Sequence, residues 1–530
     1  MTATAPAYDQ HTDDRSERRV PAPSEIGRLL ALLTASSGEA SETVSPLDGR
    51  PVARVPQSNS ADVDAAVATA RRAQPAWAAL GPRERGRRLT RFHDLLLDHQ
   101  DRLADLIITE TGKARRDAYD EVVHLALTAR YCATMAERVL RDERRPGLVR
   151  GLIRIDVHHH PKGVVGLITP WNYPLTMAMA DGVAALAAGN TVVAKPDAQT
   201  MLTALAGVEL LREAGVPEDA WRVVAGPGDM IGGALIDRVD HICFTGSTRT
   251  GRLVAARAGE RLIGSSLELG GKNAMVVCAD ADLDAAVAGA LRGCFANAGQ
   301  LCVSFERLYV AREIYDVFSD RFVEAVGRLE LAPGYGWSSQ VGTLVSPAQL
   351  EKVTRHLEDA RTQGARVLVG GRHRPDLAPW SVEPTVLEGV RPGMECWRDE
   401  TFGPVVALYP FDDEDAAIEA VNDSAHGLNA SVWSRDTRRA RELAARIVSG
   451  TVNINECYAA TMASISAPMG GRRDSGLGRR QGPEGILRFT DTQAVATQHV
   501  MRLSAPDGMA EDAFARLVAG GLRLMRRAGL

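Results

Sequence analysis

A chain of 530 residues has room for two or three domains and a large core. Its 45% hydrophobic and 24% charged content is that of an ordinary globular protein, and a formal net charge of -5 argues against a nucleic-acid or polybasic membrane partner. The 7 cysteines are scattered, with no CxxC pair and no metal-ligand spacing, which excludes a disulfide framework and fits a reducing, cytoplasmic compartment.

Residues 1–23 are polar and charged, with Asp13, Asp14, Arg15, Glu17, Arg18 and Arg19, and lack a signal-peptide apolar run; they read as a disordered tail. Residues 24–34 put Ile26, Leu29, Leu30 and Leu33 on one face of a short amphipathic helix. Residues 42–56, around Pro46-Leu47-Asp48-Gly49, read as a hairpin or turn. From 60 to 141 the periodicity is helical, with Val63, Ala66, Val67 and Ala70, then Leu89, Phe92, Leu95 and Leu96, and it is punctuated by Glu110-Thr111-Gly112-Lys113. Residues 150–157 alternate like a half-exposed strand and run into His158-His159-His160. Successive strand residues face opposite ways, so the triplet reads as an exposed strand end and not a metal site.

Between 164 and 279, apolar strands (164–169, 191–195, 221–225, 241–245 and 274–279) alternate with helices such as 198–214 and 248–258. That order predicts a parallel sheet covered on both faces, which binds nucleotides at its strand ends. The loop Gly226-Pro227-Gly228-Asp229-Met230-Ile231-Gly232 departs from G-x-G-x-x-G by one residue and by itself reads as a plain glycine turn. A second α/β region follows from 283 to 450, with strands at 308–310, 366–369, 405–409 and 430–433 and helices at 313–329, 347–363, 414–423 and 437–447. The longest uncharged run, 163–180, is interrupted by Pro170, Asn172 and Pro174 and makes a poor membrane span. Beyond Pro506, Phe514, Leu517, Val518, Leu522 and Met525 form an apolar stripe. Gly520 and Gly521 weaken a membrane-surface helix there and favour docking onto the protein itself or a neighbouring subunit.

Cys302, in Asn297-Ala298-Gly299-Gln300-Leu301-Cys302, read alone is a buried, inert thiol. Its company changes that reading. Thr169-Pro170-Trp171-Asn172-Tyr173-Pro174, Phe244-Thr245-Gly246-Ser247 and Glu268-Leu269-Gly270-Gly271-Lys272 precede it; Glu400-Thr401-Phe402-Gly403-Pro404 and Pro468-Met469-Gly470-Gly471, with Ser475-Gly476-Leu477-Gly478-Arg479 beyond, follow it. In this order, over residues 40–500, these motifs resemble the aldehyde dehydrogenase superfamily. The resemblance implies an α/β, aldehyde dehydrogenase-like fold: a Rossmann-like cofactor domain from 24–148 and 162–268, an α/β catalytic domain over 269–489, a small β hairpin of oligomerisation strands at 149–161 and 490–504, and a C-terminal helix at 505–530. It also implies a cytoplasmic homodimer or homotetramer that oxidises a small-molecule aldehyde with NAD(P).

Oxidation by hydride transfer needs a tetrahedral centre bearing a hydride and a negative oxygen. Cys302 is the candidate nucleophile that forms it, provided its surroundings favour the thiolate. Asn172 and the Cys302 backbone N–H are the candidate oxyanion donors; a neutral amide suits a site that must release a neutral carbonyl once hydride leaves. Glu268 is the candidate general base for hydrolysing the resulting thioester, and Gly270 and Gly271 allow close backbone approach to a ligand. Gly246-Ser247, opening the helix at 248–258, offers an anion site for pyrophosphate. By resemblance, Thr169, Pro170 and Trp171 line the nicotinamide side, Lys195 holds the adenosine ribose, Glu400 the nicotinamide ribose, Phe402 packs near the nicotinamide, and Gly228 and Leu269 complete the cofactor set; no metal is implied. NAD-preferring members commonly carry a glutamate three residues after the lysine. Ala198 stands there and removes repulsion against a 2′-phosphate, which points to NADP, while the adjacent Asp197 keeps NAD open.

The Pro468-Met469-Gly470-Gly471 end resembles actinobacterial succinate-semialdehyde dehydrogenases, implying oxidation of succinate semialdehyde to succinate through a cysteine thiohemiacetal and thioester. Members with that activity place arginines eight residues after the oxyanion asparagine and six before the cysteine; here these positions hold Ala180 and Ala296. Without that charge-assisted clamp, Arg307, Arg472 or Arg473 remain as substitutes, with Ser464 a weak contact, or else the pocket takes a neutral aliphatic or aromatic aldehyde. An acyl transferase to coenzyme A usually lacks the glutamate, and a non-catalytic relative would lose Cys302, Glu268 or Asn172. Cys457 reads as a buried structural thiol.

Overall fold

The computed structural model describes residues 19–146, 153–498 and 504–527. Residues 1–18 of the expected tail, 149–152 and 499–503 of the expected oligomerisation strands and 528–530 of the terminal helix lie outside the described residues. The chain divides into two compact units: up to Val139 together with Pro161–Phe489, and Leu140–His160 together with Thr490–Leu530.

The first unit holds two large sheets. One has six strands in the order Gly476–Leu477, Gly264–Glu268, His241–Thr245, Val164–Ile168, Thr191–Lys195 and Trp221–Val223. All pair in parallel except the short Gly476–Leu477, which runs antiparallel to Gly264–Glu268. Val164–Ile168 and Thr191–Lys195 are buried along their whole length, as uninterrupted apolar strands in a two-sided parallel sheet must be. Val63, Val67 and Ala70 of the helix Ser60–Ala79 and Val254 and Ala258 of Thr248–Glu260 pack against Val193, Ile242 and Phe244 in one core. The helix Pro174–Ala187 is almost wholly buried.

The second sheet has seven strands, ordered Arg366–Val369, Thr385–Glu388, Val405–Phe411, Phe305–Ala311, Asn273–Val277, Asn429–Trp433 and Thr451–Ile454, parallel except for the first. Several expectations change here. The strand expected at 274–279 starts this sheet and does not end the previous one. Gly264–Glu268, Thr385–Glu388 and Thr451–Ile454 had no strand signal in the sequence. The helix expected at 198–214 is a 3-10 turn, Ala198–Thr200, followed by Met201–Glu213, whose first N–H groups at Leu202 and Thr203 donate to the buried Glu110 carboxylate at 2.9 and 2.8 Å. The glycine loop contains a π turn, Gly228–Gly232.

The second unit contains a three-stranded sheet in the order Thr490–Gln498, Ile153–Pro161, Glu143–Pro146. The histidine triplet lies inside the strand Ile153–Pro161 and not beyond its end. His158 and His160 share a face, with ring centroids 6.3 Å apart; His158 meets Asp142 at 2.9 Å and His160 meets Gln493 at 3.1 Å. The helix Glu511–Arg527 has no buried residue. Among the described residues, no helix is long and apolar enough to cross a membrane.

Candidate active site

The helix Leu283–Phe295 delivers the chain to an unusual turn. Asn297, Ala298 and Gly299 take three successive left-handed conformations, at φ 52, 52 and 71°. For the two non-glycine residues this costs on the order of 1–2 kcal/mol each, so the surroundings must hold them. They do: the Asn297 N–H donates to the buried Asp117 carboxylate at 2.9 Å, and its side-chain amide donates to the carbonyls of Asn172 and Gln300, both at 3.0 Å. A side chain at Gly299 would place its Cβ 2.1 Å from the Gly403 carbonyl oxygen. After the turn, Asn273 Nδ2 donates to the Cys302 carbonyl at 2.7 Å, which pins the residue at the cavity wall.

Asn172 sits between the strand Val164–Ile168 and the helix Pro174–Ala187, which has proline in its first turn, where no N–H is needed. The Asn172 carbonyl accepts from Lys113 Nζ at 2.7 Å. Lys113 is fully buried, paired with Glu121 at 3.0 Å and seated 3.9 Å from the centre of the Tyr173 ring; Glu121 also receives the Thr176 N–H at 3.0 Å. The Asn172 side-chain amide donates to Gln300 O at 3.1 Å.

Glu268 ends the strand Gly264–Glu268 and is buried. Among the described residues its Oε2 has no hydrogen-bond partner, and burial pushes the carboxyl up to about 7. Glu400 is also raised to about 7 by burial; its Oε1 accepts the Gly271 N–H at 2.9 Å, and a Cβ on Gly270 would lie 2.6 Å from Oε2. The segment is anchored from beneath by Glu306, buried and paired with Lys272, which receives the N–H groups of Thr401 and Phe402 at 2.9 Å. Phe402, at φ 55°, meets Trp171 edge-on at 5.6 Å. Cys302 is pushed up to about 12, first by burial and then by the Glu400 and Glu268 carboxylates, while its own backbone N–H favours the thiolate.

These elements enclose a cavity of about 220 Å³ walled by Cys302, Glu268 and Asn172 together with Pro170, Trp171, Gly246, Ser247, Leu269, Glu400 and Phe402. Thr169, Lys195 and Gly228 stand off this wall. Thr169 and Lys195 are joined across neighbouring strand ends (Thr169 N–H to Lys195 O, 3.2 Å), and Gly228 begins the π turn. Gln349 and Lys352 also line the cavity and carried no sequence signal. Nor did Glu121, Asn297 and Glu306 as supports; Lys113, in Glu110-Thr111-Gly112-Lys113, stood in view without a role.

The expected substitute arginines are corrected. Arg307 is buried with its guanidinium given to the carbonyls of Lys272, Ala420 and Val421 at 2.6–3.1 Å, and Arg473 donates to Asn422 O and Ser424 O, both at 2.6 Å. Arg472 is exposed, and no arginine forms the wall described above. Ala180 borders a small neighbouring pocket with His124 and Arg480, and Ala296 is buried. Cys457 is buried, its thiol donating to Glu456 at 3.1 Å.

The cavity fits a nicotinamide nucleotide. Gly246 and Ser247 open the 13-residue helix Thr248–Glu260 on its wall, Ser247 caps that helix through the Thr250 N–H, and the side-chain-free edge at Gly270 faces Glu400.

A sequence profile described as the aldehyde dehydrogenase family matches residues 33–495. A Mycolicibacterium smegmatis protein provisionally named an NADP+ succinate-semialdehyde dehydrogenase is 45% identical over 96% of this chain and 99% of its own. A Mycobacterium tuberculosis protein of the same provisional name is 46% identical over 92% and 96%. Among solved structures, an NADP-dependent enzyme from E. coli superposes with TM-score 0.84 at 36% identity (88% of this chain, 96% of that one). An NAD-dependent aldehyde dehydrogenase from Sinorhizobium meliloti gives 0.85 at 34% (90% and 96%).

Proposed function

Because the chain belongs to the aldehyde dehydrogenase family, we propose that it oxidises succinate semialdehyde to succinate with NADP+, using Cys302 as nucleophile, Glu268 as general base and Asn172 as oxyanion donor. The observation that carries this reading is the convergence of those three side chains, from three separate parts of the chain, on one cavity.

The resting thiol, at about 12, holds its proton, and Glu268, at about 7, is part carboxylate at neutral pH and takes it. Sulfur then bonds to the aldehyde carbon as the carbonyl π pair moves onto oxygen. Asn172 has two amide hydrogens; the one given to Gln300 fixes the amide plane and leaves the other for that oxygen, beside the Cys302 N–H. When bound, the oxidised nicotinamide nucleotide supplies the hydride acceptor that converts the thiohemiacetal to a Cys302 thioester. Glu268 passes the proton it took from the thiol to solvent and then takes one from water as the oxygen attacks the thioester carbon; the carbon–sulfur bond breaks, the acid leaves, and the proton on Glu268 returns to the sulfur.

Gly246 and Ser247 would hold the pyrophosphate, Lys195 the adenosine ribose, Glu400 the nicotinamide ribose, with Trp171 and Phe402 against the ring. Support for NADP+ comes from Ala198 and from Asp197, whose carboxylate is turned to cap the Gln199 N–H at 2.9 Å. The strands around 149–161 and 490–504 would serve a homodimer or homotetramer, a reading supported by the exposure of Thr490–Gln498 beyond its first residue.

A second reading, a neutral aliphatic or aromatic aldehyde, is favoured by Ala180 and Ala296 and by the arginine-free wall. Initial rates with succinate semialdehyde, butyraldehyde and benzaldehyde, each with NADP+ and NAD+, test both. A large kcat/KM advantage for succinate semialdehyde with NADP+ is the expected result; an advantage for the neutral aldehydes overturns the substrate.

A further inference from the structure

Behind the cavity lies a buried ionic cluster that the reaction as described does not use. Arg480 grips Asp181 through Nε and Nη2, both at 2.8 Å, and Arg488 reaches the same carboxylate at 2.5 Å; all three side chains are at most 10% exposed. Two guanidiniums face one carboxylate, so the cluster carries an excess positive charge out of water, which is costly unless another acid balances it.

The fold points that charge at Glu268. Arg480 Nη2 donates to Thr245 Oγ1 at 2.9 Å, and Thr245 is the register partner of Glu268 on the adjacent parallel strand, so the two side chains stand together on one face of the sheet. The Arg480 backbone is laddered to Met469 at 2.7 and 2.6 Å, and the next residue, Gly470, lies so near Glu268 that a Cβ there would be 3.2 Å from Oε1. We propose that the Asp181–Arg480–Arg488 cluster sets the working protonation state of Glu268, with Arg480 as its positioning residue.

The other groups around Glu268 leave this role to the cluster. Cys243, on the same face, is held protonated at about 12, as is Cys302 across the cavity, and His124, beside Arg480, is kept neutral at about 4 by burial. Arg479 adds a cation from the 468–479 loop, its guanidinium turned to the carbonyls of Gly471 and Gly478 at 3.1 and 2.6 Å. Burial raises Glu268, the guanidiniums of Arg480, Arg488 and Arg479 pull it back, and Asp181 opposes them. Removing Arg480 therefore leaves Glu268 protonated to higher pH, and removing the Asp181 charge frees it at lower pH.

The inference rests on Glu268 acting as the base. The test acylates Cys302 with p-nitrophenyl acetate, without cofactor, and follows acyl-enzyme hydrolysis against pH. The midpoint should move up by about one pH unit or more in Arg480→Gln, up by less in Arg488→Gln, which leaves Asp181 paired, and down in Asp181→Asn. Arg480→Lys should restore the wild-type midpoint whatever its rate. A purely structural role would lower rates without these opposite shifts. If Glu268→Gln abolishes the pH dependence while the cluster variants keep the wild-type midpoint, this inference alone falls. If Glu268→Gln hydrolyses with the wild-type profile, the base assignment falls with it.

Discussion

Lys113 Nζ donates to the carbonyl of Asn172 at 2.7 Å from a fully buried ion pair with Glu121. The oxyanion candidate is thus held by its backbone from behind while its amide is held by Gln300. Lys113→Met leaves Glu121 uncompensated and is expected to cost about 3–5 kcal/mol in urea unfolding. Lys113→Met combined with Glu121→Leu should recover most of that stability but not kcat, because the Asn172 carbonyl stays released. Recovery of both would show that the pair matters only for folding.

Cys302→Ala should abolish aldehyde oxidation yet bind NADP+ with nearly unchanged affinity in a fluorescence titration. Asn172→Ala should keep the nucleophile and lower kcat by roughly 10²–10³, the loss typical for one oxyanion donor. Turnover by the Cys302 variant would refute the nucleophile.

With Glu268 at about 7 and its carboxylate the active form, thioester hydrolysis should rise with pH through that value and level off above it. Glu268→Gln has no such group to titrate. Stopped-flow should then record a burst of reduced cofactor followed by a slow phase without that inflection, provided acylation remains faster than hydrolysis.

Gly299→Ala should damage the site without touching a reacting atom. At φ 71° and with a Cβ 2.1 Å from the Gly403 oxygen, the loop must shift or the residue must strain, a conflict worth about 1–3 kcal/mol. A lower melting temperature and a reduced rate of Cys302 acylation are expected together; normal acylation would mean that the turn does not aim the sulfur.

Much of this was legible because the reacting groups lie in short motifs and the long apolar strands keep their period. Thr191–Lys195 and His241–Thr245 match their sequence signals in full. The strand Gly264–Glu268 was illegible because Gly-Ser-Ser-Leu-Glu has a single apolar residue; pairing with His241–Thr245 on one side and Gly476–Leu477 on the other imposes its conformation. Charged residues misled for a related reason. Sequence gives a charge but not its partner, so Arg307 looked free for a ligand while its guanidinium is given to backbone carbonyls, and Lys113 looked like punctuation while it braces Asn172.

The burial of Cys302, reinforced by the Glu400 and Glu268 carboxylates, also has a chemical consequence for the idle protein. With the thiol near 12, the thiolate at pH 7 is on the order of one part in 10⁵. Peroxides and alkylating agents consume thiolate, so they attack Cys302, partly exposed as it is, only as fast as Glu268 draws off its proton.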